Sequence, residues 1–313
     1  GLSDPLSIEV LEGYDGRITL ENVVLSSIHN RPCIQMSDRC CLTLRLVGSS
    51  KMLGGGIRVP ESSYLTVEGD GSLSIHSEAE EGFGIGNDLV SRHGRIAFYQ
   101  DGLLHVDMNG KRLIGIGAGQ GGEILIKRGK YRIVTNGEEV VNIGSFEADC
   151  RMSISNCDIE TETRTLTGVG IGSLYKDAKL LMECCKITNH TEGKKVVGIG
   201  SLSGKEAKIR FYQMNGSSMM NANLGCALGA LEGRTEFSIE EASFVGETAG
   251  QEVYFFGGQS EDVHVSIVHA EAIVEHRTKD GQVSRMPKEN LSIQFGKLET
   301  TLNGVKEVIQ IDD

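Results

Sequence analysis

The sequence predicts an all-β fold, a single-stranded right-handed parallel β-helix, and three observations carry that prediction. A Gly-hydrophobic-Gly triplet, or a worn version of it, returns with a period of ~28 residues through most of the chain. A strand with alternating apolar residues begins a short way after each triplet centre. No amphipathic helix of convincing length interrupts the pattern. A period of this size means that one unit cannot bury its apolar face alone and must stack on its neighbours.

The triplet centres run Ile34, Ile57, Ile85, Ile116, Ile143, Ile171, Ile199, Leu228 and Phe256, in steps of 23, 28, 31, 27, 28, 28, 29 and 28. The strands that follow read Leu42-Leu44-Leu46, Leu65-Val67, Ile96-Phe98, Ile124-Ile126, Met152-Ile154, Leu180-Met182, Ile209-Phe211, Phe237-Ile239 and Val265-Ile267. Period-two alternation of large and β-branched residues is the strand signal. Leu103, Tyr131, Ile159 and Ile187 recur at the same period and mark a third short strand. Three strands per ~28 residues describe one coil of a parallel β-helix, and about eight or nine such coils fit the chain. Right-handedness follows from the rule for crossovers between parallel strands.

The repeat assigns residues to columns. Phe98, Ile126, Ile154, Met182, Phe211 and Ile239 form one inward column. Asp101, Gly129, Cys157, Cys185, Met214 and Ala242 form a second, in which the cysteines are small core residues at a tight corner. Ser145, Ser173 and Ser201, continued by Ala230, form a corner ladder. With the triplet centre inward, Gly115/Gly117, Gly170/Gly172 and Gly198/Gly200 are expected to point outward. They then either bend the chain at a corner or leave a bare strip that another backbone or a flat ligand approaches. Residues 1–274 are read as the helix, with 1–30 its N-terminal cap or first coil, and 275–313 as a strand-and-turn C-terminal cap. Caps are required because a solenoid exposes strand edges at both ends.

Composition excludes several classes. Glycine is 41 of 313 residues, without the every-third spacing of collagen, and proline is only 4. The net charge is −12 and there is no basic stretch, so nucleic acid and anionic membrane surfaces are poor partners. The chain has no apolar run of roughly 18 residues, and no membrane insertion is expected. The eight cysteines contain two adjacent pairs and no C-x-x-C, which points to free thiols rather than a disulfide framework or a zinc site. Thiols suit a reducing cytosol, or export into an anaerobic habitat.

The sequence carries few signatures of chemistry. Asp158 and Glu160 face Lys130 and Arg132 one coil earlier and Lys186 and Thr188 one coil later, and Glu162 matches His190. That is a favourable cross-strand charge ladder, with no spacing that specifies a glycosidase acid pair. Asp101 reads as a turn aspartate. The eight histidines are scattered without H-x-x-x-H or H-x-H, so neither metal nor cofactor is expected. For a ligand surface, Tyr99-Gln100 and Tyr212-Gln213 stand out, each an aromatic after an inward Phe and before a Gln; Glu183, on an exposed position, is a further candidate.

From Arg17 to about Gly258 the chain resembles right-handed β-helix modules of surface and secreted proteins of Gram-positive gut bacteria, often described as carbohydrate-binding. The matching stretches are Ile18-Thr19-Leu20-Glu21-Asn22-Val23, Cys41-Leu42-Thr43-Leu44, Gly55-Gly56-Ile57-Arg58-Val59-Pro60, Leu65 to Ile75, and the later Gly-Ile-Gly triplets. Asn156-Cys157 and Cys184-Cys185 replace the Gly-Gly pair usual in that family's turn after the second strand. The resemblance implies a non-catalytic module binding a glycan or a surface protein, secreted or on a bacterial cell surface. The alternatives are a polysaccharide-active hydrolase, lyase or glycosyl transferase on the same scaffold, including one that works as a homo-oligomer, or a structural spacer.

Overall fold

The computed structural model describes residues 5–28, 31–278 and 290–311. It is a β-solenoid of about ten turns. An eleven-stranded sheet stacks one short strand from each turn in parallel, among them Asp15–Glu21, Arg95–Gln100, Cys150–Ser155, Glu206–Tyr212 and Leu291–Gln294. The second sheet collects the longer strands, such as Ser72–Gly86, Leu103–Ala118, Cys157–Ser173 and Asn215–Ala230. Parallel stacking runs past residue 274: Leu291–Gln294 pairs with Val263–Val268, and Gly296–Leu302 with Glu271–Thr278. Among the described strands only Val305–Ile311 turns back antiparallel, closing that end. The extra turns beyond eight or nine are these terminal coils, which keep the strand pairing after losing the triplet.

The register follows the triplets. Ile34 pairs with Ile57, Ile57 with Ile85, and so on without slippage to Phe256. The column from Phe98 to Ile239 is continuous and fully buried, and it extends to Ile267. Each such Ile or Phe withdrawn from water contributes about 1.5–3 kcal/mol. Two assignments shift by one residue. The partner of Tyr131 is Leu104, and Leu103 is 41% exposed. Asp101 stands outside the Gly129–Cys157–Cys185 column, its carboxylate 3.3 Å from Arg128. The reason is a corner one residue shorter at Gly129, which also explains why the step from Ile116 to Ile143 falls short of its neighbours.

Each long strand covers two sides of the coil, because the alternation resets twice. Met108 and Leu113 both enter the core although five positions apart, and the residues between them are exposed or half-exposed, which marks a corner. The second reset falls on the first glycine of the triplet, where cross-coil pairing skips Gly115 and its equivalents. A Cβ on Gly115 would meet Ile133 of the core, and one on Gly170 or Gly198 would meet the Asn189 side chain. The first glycine therefore faces inward and makes room for a core side chain. Elsewhere Asn142 and Ala227 fill the same place.

The second glycine is the corner. Its φ is 147° at Gly86, 141° at Gly117 and Gly144, 142° at Gly172, 140° at Gly200 and 125° at Gly229. Side-chain-bearing residues rarely adopt this conformation, which is why glycine holds this position from Gly86 to Gly229, whereas Arg58, the register partner of Gly86, lacks the positive φ. No bare strip results. Ile114, Val141, Val169, Val197 and Cys226 stack on the outer side of the triplet strand, and Phe146, Leu174, Leu202 and Leu231 from the following turns cover them as a second apolar cluster. Beside them Ser145, Ser173 and Ser201 form the expected ladder, each hydroxyl donating to a turn carbonyl of Ala148 or Lys176.

The middle coils also enclose a buried polar network that repeat spacing does not reveal. Thr135, Asn142, Thr161, Thr163, Asn189, Thr191 and Ser218 are at most 1% exposed. Asn142 accepts from Thr135 and donates to Thr163, while Asn189 accepts from Thr161 and donates to Thr191 and Ser218. Satisfied networks of this kind specify a unique core, whereas removing one partner leaves costly orphans.

This packing has two expected consequences. Gly170→Ala destabilises the protein by crowding Asn189, and the same change costs at least about 1 kcal/mol less in an Asn189→Ala background, as a double-mutant denaturation cycle will measure. Equal costs in both backgrounds would refute the glycine–asparagine fit. Burial also pushes His93 and His276 down to about 4. Both are neutral in the fold, whereas the unfolded chain protonates them below ~6.5. Stability is therefore complete above pH ~6.5 and falls as the pH drops toward 4. Urea midpoints that stay flat across that window would contradict it.

Candidate binding groove

The outer face of the eleven-stranded sheet carries three columns of side chains in register. One runs Arg151, Lys179, Lys208, Glu236 and His264, and a second runs Ser153, Leu181, Arg210, Ser238, Ser266 and Ser292. The third is Ser155, Glu183, Tyr212, Glu240, Val268 and Gln294. Strand alternation sends every second residue outward, and parallel stacking repeats the choice at each coil.

Toward the C-terminal end the middle column becomes three consecutive serines, short side chains between taller rows. An open groove of about 740 Å³ lies there, lined among others by Lys208, Glu236, Ser238, His264, Ser266 and Ser292. Its charged rim is internally paired. Lys208 lies 2.9 Å from Glu236 and 3.4 Å from Glu206, Arg210 lies 3.0 Å from Glu240, and His264 lies 2.8 Å from Asp262. The hydrogen bond from Lys208 holds the Glu236 carboxyl below the usual carboxylate range. Among the described residues no group of three or more His, Cys, Asp or Glu could hold a metal ion.

The structure divides the residues singled out from sequence. Glu183 and Tyr212 are register partners on neighbouring coils, and Gln213 follows at an exposed corner, donating to Glu241 at 2.6 Å. Tyr99 is 38% exposed in the same column. It lies four coils away, or roughly 19 Å at the usual strand spacing. Gln100 is buried completely, its Oε1 3.1 Å from the Tyr131 hydroxyl, and takes no part in the surface. The residue after an outward tyrosine must point inward unless the chain turns. At Gln213 the chain does turn, with φ 49°, and at Gln100 it does not. The serine row is silent in the sequence, because isolated serines, one to a coil, carry no local signal.

The corner beside Tyr212 is a ladder of left-handed residues: Asn156, Cys184, Gln213, Glu241, His269 and Phe295, with φ between 46° and 53°. Here His269 and Phe295 stack with ring centres 4.9 Å apart. The ladder also explains the cysteines. Cys184 takes the left-handed position and is exposed, while Cys185 turns into the core, its sulfur 3.5 Å from that of Cys157 as a hydrogen-bonded thiol pair. The charge ladder on the long strands has the expected partners, Lys130 with Asp158, Arg132 with Glu160 and Glu162 with His190, and Arg132 reaches Glu160 at 3.4 Å.

Comparison with protein-family models, with curated proteins and with solved structures gave no match to this chain.

The cysteine geometry has a direct test. In native protein a maleimide reagent labels Cys184 first, with half-buried Cys41 slower and the six buried thiols reacting only on unfolding. Rapid native labelling of Cys157 or Cys185, read by peptide mass mapping, would be incompatible with the corner as described.

Proposed function

We propose that the protein is a non-catalytic binding module that holds an extended glycan along the outer face of the eleven-stranded sheet. The observation that carries this reading is the row Ser238–Ser266–Ser292, an in-register hydroxyl floor between taller polar rims. Each hydroxyl both donates and accepts, which is what the hydroxyls of a sugar chain require. Rungs repeat at about 4.8 Å, so a polymer lying along the rod meets the same chemistry at each step. Because the rim charges neutralise one another, the groove favours a polar ligand over a highly charged one.

Two further features support binding without turnover. A general acid needs a raised pKa to hold its proton at neutral pH, and Glu236 is shifted the other way. Glu183, Tyr212 and Gln213 form an aromatic and polar rim beside the groove, the kind of amphipathic surface on which sugar rings pack. The resemblance to β-helix modules of bacterial surface proteins points in the same direction, and with it a place outside the cell.

A glycan array, followed by calorimetry and reducing-end analysis on the best ligand, tests the proposal. Ser266→Trp fills the groove from outside and is expected to weaken binding at least about tenfold without lowering the melting temperature. Tyr212→Ala weakens short oligosaccharides, while Tyr99→Ala affects only chains long enough to span four coils. Undiminished binding by Ser266→Trp moves the site elsewhere. Accumulating reducing ends or unsaturated products would make the protein an enzyme.

A further inference from the structure

The short first step of the repeat, from Ile34 to Ile57, has a structural counterpart. In that coil the strands Ser49–Leu53 and Ile57–Arg58 are joined by Gly54-Gly55-Gly56 alone. The neighbouring strand Ser72–Gly86 therefore pairs with it only at Ser72–His76 and again at Ile85–Gly86. Between those points the segment Ser77–Gly84 is paired on its other edge only, with Leu103–Ala118.

Against this open edge lies a cavity of about 210 Å³, bounded by Gly55, Gly56, Ala79, Gly82, Phe83 and Leu89, with Ser77, Glu81 and Asp88 as its polar groups. Gly82 occupies the place that Leu113 holds in the next coil and Val140 in the one after, both fully buried core residues. The cavity is thus the volume of a missing core side chain, opened by a shortened preceding coil. Ser77 is 3% exposed, lines the cavity and has no hydrogen-bond partner among the described residues. The Asp88 carboxylate accepts the Val90 N–H at 3.2 Å and meets no cation among the described residues, while Glu81 shares Arg112 with Glu139.

We infer that this cavity binds a small organic ammonium compound with an apolar body. The apolar part replaces the missing side chain over Gly82 and Ala79, against Phe83 and Leu89. The ammonium group meets Asp88, with Glu81 beside it, and the Ser77 hydroxyl gains a polar partner. Size agrees: an apolar cavity of about 150 Å³ accommodates benzene, so this one takes a six-membered ring and a short amine-bearing arm. Charge agrees as well, since the chain carries −12 overall and its field attracts cations. The inference is independent of the groove on the other sheet.

The test uses three isosteric probes, benzylamine, benzyl alcohol and benzoate, titrated into the whole chain by calorimetry and by NMR shift mapping. Benzylamine is expected to bind roughly tenfold tighter than benzyl alcohol, the increment of one charge-assisted hydrogen bond, with benzoate weakest. Asp88→Asn removes the advantage of the amine and leaves the alcohol unchanged. Gly82→Leu restores the side chain of the next coil; its Cβ would make only ordinary contacts, 3.4 Å to Ala79 and 3.5 Å to Met108. That variant excludes both probes while its melting temperature holds or rises. If it folds poorly, Ser77→Met, which installs the side chain of the register partner Met108 at a second lining position, supplies another occlusion test. Equal affinity for all three probes, binding that survives in whichever occluding variant folds, or a cavity that takes up water only would each overturn the inference.

Discussion

Parallel backbone hydrogen bonds between successive coils are the constraint on which everything else in this protein depends. They hold equivalent residues of neighbouring coils about one strand spacing apart, so any feature repeated in sequence becomes a column in space. Hydrophobic residues become the core, the serines after three consecutive triplets become a corner ladder, and opposite charges become cross-coil pairs such as Arg132 with Glu160. The price of this economy is that every coil must turn its corners at the same places. Glycine with φ near 140° does so in coil after coil at the second triplet position.

Corners also decide which side of the wall a residue serves. At the first triplet glycine the strand alternation resets, so both this glycine and the following Ile face the core, and the expected outward strip does not exist. The space left by the glycine is taken from across the coil by Asn189, or by Ile133 where the neighbourhood is apolar. On the outer side of the same strand a second apolar cluster seals the surface. The protein therefore has two cores separated by one strand, and its uncovered face is the opposite sheet. There the outward columns are not covered by any described turn, and a run of serines lowers the floor.

Irregularities in the repeat are where chemistry concentrates. The shortened coil before Ile57 leaves the edge of Ser77–Gly84 open and a cavity behind it. The run of short outward residues from Ser238 to Ser292 opens the groove. In both places the repeat is broken by side chains or loops smaller than the pattern calls for, and the volume they omit is available to a ligand. Regular coils, by contrast, fill themselves.

The amino-acid sequence alone determined the fold class, the period, the inward columns from Phe98 to Ile239 and the cross-coil charge pairing, because all of these repeat with the backbone ladder and so appear as spacing. It also singled out Glu183, Tyr212 and Gln213 as candidate surface residues, and the register made Glu183 and Tyr212 neighbours. Tertiary structure decided what depends on a corner, where one residue or one φ angle changes the face: that Gln100 enters the core while Gln213 does not, that Leu104 rather than Leu103 aligns with Tyr131, and that the triplet glycines are buried. It also decided what depends on adjacency across coils without a local signal, namely the internal Thr–Asn network, the serine row and the cavity at Gly82. Periodicity is written along the chain, whereas concavity arises only when neighbouring coils stand side by side.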